Sequence, residues 1–295
     1  MNFQHDASDY KTLNQLGFFP AEIEDETSFY QRVQRCLDDS KLLEKKHLSI
    51  KGLKYLIPLE KKLNENELTK QGHLILSLYN CLPSWVPSYF FNKGLPFLTG
   101  GMAVQYTESE GSNEWKTFFQ LKEQFQIKSK WFIYSSDEII SHEMCHIART
   151  PLLSTRYEES IAYQTSSSSF RRYLGGSFLT PKDNFIFLSS LIWMILISSF
   201  FSYIPFYFKP LEYLPFIFII LLGLIRNQNI QSELKNTERK LEQLFPNQGK
   251  EVLFRLSDKE ILYFSKITVQ EIKKFWKKQN SFKYSFLSNI YSMHG

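Results

Sequence analysis

Apolar positions change their spacing several times along the chain, and each change marks a different kind of element. From Thr27 to Glu44 the apolar residues Phe29, Val33, Cys36, Leu37 and Leu42 or Leu43 recur at near-helical intervals, and Leu53 to Leu63 continues in that style. This spacing predicts packing helices through the first 82 residues. Between Pro83 and Tyr134 the pattern shifts to short aromatic and β-branched runs separated by turn residues: Gly100 to Thr107, Trp115 to Leu121 and Lys130 to Tyr134. Such runs predict a small sheet.

The pattern then loses its polar face. Asn184 to Phe208 contains no charged residue, and Phe185 to Ile204 approaches the roughly 20 apolar residues that span a bilayer core. A second apolar stretch, Leu211 to Ile225, is shorter and begins beside Lys209 and Glu212. With a turn at Phe208-Lys209-Pro210, the two predict a transmembrane helical hairpin over 184–226. Beyond it, Gln231 to Phe245 predicts a helix stopped at Pro246-Asn247-Gln248-Gly249, and Thr268-x-x-Glu271 is a capping box opening a Lys-rich helix through Lys278. The expectation is an α+β protein: a mainly helical region over residues 1–82, a core over 83–183 with a small antiparallel or mixed sheet, the hairpin, and a small helical tail over 227–295.

Charge sharpens the membrane reading. Residues 227–295 hold 12 Lys+Arg against 7 Asp+Glu, which accounts for the whole net charge of +5 and leaves residues 1–226 neutral. A basic tail behind an apolar segment suits anionic lipid, whereas no nucleic-acid-binding module accompanies it; a solvated helical face is the plainer alternative. Arg171, Arg172 and Lys182 precede the hairpin and Arg226, Lys235, Arg239 and Lys240 follow it, so both flanks are expected on the cytoplasmic side, at the inner membrane if the source is bacterial. Met1 to Tyr10 is polar and acidic, with no secretory signal pattern. Cys36, Cys81 and Cys145 lie far apart, which suggests a reducing compartment and no disulfide framework.

The chemistry is concentrated in one stretch. Ser135-x-x-Glu138 is a capping box ahead of Ile139-Ile140-Ser141-His142-Glu143-Met144-Cys145-His146-Ile147-Ala148-Arg149, with Pro151 just beyond. On that helix the four-residue spacing stacks His142 and His146 on one face, where two imidazoles can bind one zinc ion with Glu143 beside them as general base. Chance produces such a motif on the order of once per hundred chains of this kind. Catalytic zinc needs a third protein ligand and an open position. Thr155-x-x-Glu158 predicts another capped helix after a turn at Pro151 to Thr155, packed antiparallel to the first. Glu159, in its first turn, is the expected third ligand of a single Zn2+; Glu158 is the runner-up, occupied if it closes the box. A carboxylate favoured there only by the helix dipole is the competing explanation for Glu159.

His-Glu-x-x-His followed by Glu-x-x-Ala on a second helix resembles the gluzincin clan of zinc metallopeptidases. Within it, the pattern is similar to membrane peptidases of the CAAX prenyl endopeptidase and heat-shock type, whose second motif is Glu-x-x-Ala-Asp. The resemblance covers Ile139 to Tyr163. It implies a zincin-like domain, His142, His146 and Glu159 as ligands, Glu143 as base and Ala162 as a small packing residue. Tyr163 stands where those families carry Asp, and the stretch from His146 to Glu159 is much shorter than theirs. Glu158-Glu159-Ser160-Ile161-Ala162 is also similar to soluble regulatory peptidases with Glu-Glu-x-x-Ala, which lack the hairpin. Tyr163, Tyr157 and Arg149 are candidates to steady an oxyanion. Gly101, Met102, Ala103 and Val104 are the candidate edge strand for an extended peptide or protein substrate, as in gluzincin-like folds. The expected activity is membrane-anchored metalloendopeptidase; the alternatives are a non-catalytic membrane scaffold and a zinc hydrolase of a non-peptide substrate. The sequence leaves the oligomeric state open.

Overall fold

The structure, a computed structural model, describes residues 7–43, 58–96, 99–106, 116–131, 133–177, 181–200 and 213–293. It is helix-rich with two small sheets and one long apolar helix. Helices α1 (Ala7–Gln15) and α2 (Glu26–Leu43) open the chain. Phe29 and Val33 of α2 are buried, as their spacing predicts, with Tyr30 beside them, while Cys36 and Leu37 are half-buried. The helix expected over Leu53 to Leu63 lies partly outside the described residues. From residue 58 onward it is replaced by a 3-10 turn at Leu59–Lys61. Pro58 disfavours a helical residue before it, and the chain is then drawn into extended pairing, Lys62 bridging Tyr89 and Leu63 N–H donating to Ser88 O at 2.8 Å.

Two short helices follow, α3 (Glu65–Gln71) and α4 (His73–Tyr79), broken at Gly72. A side chain at Gly72 would run into Leu82 and the Met144 sulfur, so the break lets this corner press onto the helix that carries the histidines. The sheet expected between Pro83 and Tyr134 forms as β1 (Ser88–Phe90), β2 (Gly101–Tyr106) and β3 (Lys116–Leu121), in the order β1-β3-β2. β1 runs parallel to β3, while β2 runs antiparallel to it with Gly101 opposite Leu121 and Val104 opposite Phe118. Among the described residues β2 is therefore an edge. After α5 (Gln124–Ile127), the Lys130 to Tyr134 run gives only two-residue strands, β4 (Lys130–Trp131) and β5 (Tyr134–Ser135).

The central helix α6 (Ser136–Arg149) buries Ile140, Met144, Ile147 and Ala148 at helical spacing and lies against β2. It is followed by α7 (Glu158–Ala162), α8 (Ser169–Leu174), α9 (Pro181–Phe200) and α10 (Leu214–Leu244). α9 and α10 lie side by side in opposite directions: Arg226 pairs with Asp183 at 3.0 Å and the rings of Phe187 and Phe216 are 5.6 Å apart. Residues 201–212, which hold the end of the first apolar run and the predicted Phe208-Lys209-Pro210 turn, lie outside the described residues. Among the described residues one helix, α10, is long and apolar enough to cross a membrane; the apolar stretch of α9, Phe185–Ser199, is shorter.

α10 corrects the expected break between a second hairpin helix ending at Ile225 and a tail helix beginning at Gln231. It is one continuous helix of 31 residues. Arg226 to Ile230 contains no proline or glycine to stop it. Its first third exposes Leu214, Ile217, Phe218, Leu221 and Ile225, whereas Asn227, Ile230, Leu234, Thr237, Leu241 and Leu244 form a buried stripe at intervals of three and four. The change of surroundings occurs along one rod of about 46 Å.

The tail continues as α11 (Gly249–Phe254), α12 (Asp258–Lys266), α13 (Val269–Lys278) and α14 (Phe282–Ile290). The Thr268/Glu271 capping box forms with both arms, and a second, at Ser257/Glu260, opens α12. The tail closes onto the N-terminal helices through a fully buried guanidinium: Arg255 donates to Asn14 Oδ1 at 2.5 Å and Tyr79 O at 2.9 Å. One hydrophobic cluster runs from Leu13 to Tyr291. Cys36, Cys81 and Cys145 are all free; burial pushes the Cys81 thiol up to about 11.

Close contact of β2 with α6 depends on Gly101, where an added Cβ would sit 2.8 Å from Ile139 Cγ2 and 3.0 Å from Leu121 Cδ2. Gly101→Ala should cost about 1–3 kcal/mol, the usual range for overpacking, and lower the melting temperature of the protein. An unchanged melting curve would count against this packing.

Candidate metal centre

The helix that carries the motif is capped as predicted on one arm only. Ser135 Oγ accepts from Glu138 N–H at 3.3 Å, but the Glu138 carboxylate does not return to Ser135. It accepts instead from Ser167 N–H at 2.7 Å and Arg171 Nη2 at 2.5 Å, a charge-assisted bond that a cap N–H cannot match. α6 thus gains a strut to α8. On its less buried face the Nε2 atoms of His142 and His146 lie 3.1 Å apart.

The expected capping box Thr155-x-x-Glu158 does not form. Tyr157, without a side-chain cap, precedes α7, and Thr155 N–H donates to Asp258 Oδ2 at 2.7 Å. Glu158 is engaged elsewhere: Oε1 lies 3.1 Å from His146 Nδ1, and Oε2 accepts from Arg149 Nε at 2.7 Å. Arg149, fully buried, also donates to Ser154 Oγ at 2.9 Å and to the carbonyls of Phe254 and Leu256. Behind the turn, Ser154 Oγ donates to Asp258 Oδ1, and Arg156 N–H to Oδ2 at 2.6 Å. One carboxylate of the tail therefore gathers the turn between α6 and α7.

That turn brings Glu159 back over the histidines. Its Oε2 is 3.6 Å from His142 Nε2 and its Oε1 3.5 Å from His146 Nε2. Two nitrogens each about 2.0–2.1 Å from one zinc ion at the tetrahedral angle stand about 3.3 Å apart. The three donor atoms, all within 4.8 Å of one another, match that scale and could hold a metal ion. The set is two imidazoles and one carboxylate, with His146 steadied from behind by an acid, the usual arrangement for a metal-ligating histidine.

Glu143 sits beside this group, its Oε2 accepting from Ala103 N–H of β2 at 2.8 Å. A cleft of about 190 Å³, lined among others by Gly100, Gly101, Ile139, His142, Glu143 and Tyr163, opens there. A larger groove of about 800 Å³ lies between α10 and the far side of α7 but contains none of the three donors, so donor chemistry and not cavity size locates the site. Of the residues singled out in the sequence, His142, Glu143, His146, Glu159 and Tyr163 come together, with the Tyr163 ring edge-on to His142 at 4.7 Å. Burial and the Glu159 charge push the Tyr163 hydroxyl up to about 12. Glu158 and Arg149 stand behind His146, away from the cleft. Tyr157 turns away altogether, its hydroxyl donating to Glu233 Oε2 of α10 at 2.7 Å. Of Gly101, Met102, Ala103 and Val104, the Ala103 backbone reaches Glu143. Ala162 is fully buried.

Sequence reasoning missed Asp258, Glu233 and the Glu138–Arg171 pair. Asp258 lies about a hundred positions from the turn it holds and carries no motif that points to it. No protein-family model, curated protein or solved structure matches the chain.

Burial works against a charged His146, but the Glu158 hydrogen bond and the charges of Glu143 and Glu159 outweigh it and hold the imidazole at about 9. Protonated His146 stabilises the fold fully below its unfolded value near 6.5, and this contribution is lost as pH rises through about 9. A metal must displace that proton, so zinc affinity should climb with pH up to about 9 and stand about 100-fold below its limit at pH 7. The apo melting temperature should fall over the same window. Glu158→Gln should move both effects to lower pH and weaken the limiting affinity by about 10–100-fold. Competition titration against a zinc indicator and thermal melts, both at several pH values, measure the two effects, and a flat affinity would refute the proton linkage.

Proposed function

We propose that the protein is a membrane-anchored zinc-dependent endopeptidase of gluzincin-like, zincin-type architecture. The observation that carries this reading is the convergence of His142, His146 and Glu159 at ligand spacing, with Glu143 next to them and the edge of β2 alongside. The donor set fits Zn2+, which when bound supplies Lewis-acid polarisation of a carbonyl and a lowered pKa for water.

The chain's own groups supply the rest. Glu143 takes a proton from the attacking water and passes it to the leaving amine, the general base becoming the general acid. Glu158, backed by Arg149, holds the His146 ring with its inner nitrogen toward His142 and Glu159, the two donors with which it would hold a metal ion. Tyr163, a neutral phenol beside His142, is the best-placed side chain to donate to a developing oxyanion. β2 offers backbone groups on its unpaired side to an extended peptide, which favours a peptide over other hydrolysable substrates.

The membrane assignment rests on exposure. α9 presents Phe185, Leu188, Ile192 and Trp193 outward, and the first third of α10 does the same, an unpartnered apolar surface of a kind that soluble monomers avoid. We assign the pair as a two-span hairpin with both ends cytoplasmic. The tail's attraction to anionic lipid is smaller than its composition implies, because Arg255, Lys240 and Lys283 are turned inward onto carbonyls or Glu260.

Glu143→Gln should retain one zinc per chain yet lose at least about 10²-fold in peptide cleavage, while His146→Ala should lose the metal itself. Elemental analysis beside mass spectrometry of a peptide library, with and without chelator, reads both; full activity of the Gln variant would rule out the base assignment. Separately, the protein should stay with the membrane pellet at alkaline pH and leave it only in detergent. Release by alkali alone would remove the hairpin.

A further inference from the structure

The general base is not free in this structure, and what holds it is the strand that we assign to substrate. Phe119 of β3 donates its N–H to Pro87 O at 2.9 Å, toward β1, so at its partner Ala103 the two strands exchange no hydrogen bond. The Ala103 N–H and C=O therefore point off the open edge of β2. α6 approaches that edge because Gly100 and Gly101 leave room for Ile139. Glu143, one turn beyond Ile139, is thereby brought to Ala103, and its Oε2 takes the strand's outward N–H at 2.8 Å.

We propose that the Ala103 N–H is shared between two acceptors: the Glu143 carboxylate when the cleft is empty, and a backbone carbonyl of an extended peptide when one pairs with β2. The inference rests on the peptidase reading and gives it a selectivity. An added strand must place a carbonyl opposite that N–H, because a part-buried donor facing an incoming strand is satisfied by the ladder. The same donor cannot serve Glu143 at full strength, so docking the strand releases the carboxylate toward the attacking water. A small ester or dipeptide that never reaches β2 meets a base still tied to the strand. Extended chains several residues long, and not small acyl compounds, are then the substrates the site turns over.

Two measurements on the full-length, zinc-loaded protein in detergent micelles test this. In Glu143→Ala, which cannot cleave, residue-resolved amide exchange at Ala103 should be at least about tenfold faster than in the wild type, and a decapeptide that the wild type cleaves should restore protection. No change at Ala103 on adding that peptide overturns the proposal. Ala103→Pro removes the N–H at an outward edge position where proline is tolerated. Relative to Ala103→Gly, which keeps the N–H, it should raise kcat for p-nitrophenyl acetate by several-fold and raise KM for the decapeptide by about tenfold. Equal effects of proline and glycine, with zinc content intact, overturn the shared donor. If the wild type cleaves neither p-nitrophenyl acetate nor any peptide of the library, yet a decapeptide from that library slows Ala103 exchange in Glu143→Ala, the peptidase reading fails and the shared donor stands.

Discussion

The burial of one guanidinium organises this protein. Arg149, at the end of α6, has no exposed side-chain surface, and a buried cation is tolerated only with its donors met. They are met by three different segments: Glu158 on α7, Ser154 in the turn, and the carbonyls of Phe254 and Leu256 at the end of α11 and just beyond it. Moving any of these away strands a charge in the interior, so α6, α7 and the C-terminal helices are fixed together. Glu158 then hands that rigidity to His146 through its other oxygen.

The same linkage explains why the basic tail is more than an appendage to the site. α10 begins in an unpartnered apolar surface and ends as a core helix, and between the two Glu233 takes Arg156 at 2.9 Å and the Tyr157 hydroxyl at 2.7 Å. Asp258 grips the same turn from the other side. A rod that is apolar and exposed at one end and built into the core at the other ties the turn before Glu159 to both. In physical terms the donor set is held at a defined distance from the apolar helices, because α10 has no hinge residue between them.

How much of this was legible in the sequence depends on how local each cause is. The α6 histidines, the start of that helix at Ser135, the Thr268 box and the strands Gly101 to Tyr106 and Lys116 to Leu121 follow from spacing and capping over a few residues. The continuity of α10 was obscured because the change from lipid-like to core-like composition at Arg226 imitates a boundary, although only the surroundings change there. The capping boxes at Glu138 and Glu158 misled for one reason: a box is a local default, and a buried or paired arginine nearby offers a carboxylate a stronger, charged partner. Partners such as Asp258 and Glu233 are set by the tertiary fold, and nothing in their own neighbourhoods marks them.

Adjacent acids at 158 and 159 show how a short connection can complete a three-donor site. Successive residues on a helix point about 100° apart, so one turn can aim one carboxylate at the outer nitrogen of His146 and the next at the inner nitrogens of both histidines. That division requires the start of α7 to be set in rotation as well as position. The 3-10 turn at Thr150–Leu152, the left-handed Leu153 (φ 50°) and the Asp258 bonds to the N–H groups of Thr155 and Arg156 leave the connection little freedom to rotate. With the rotation set from outside, α7 needs no cap of its own. That is why the Glu158 side chain is available to hold His146 and does not have to hold its helix.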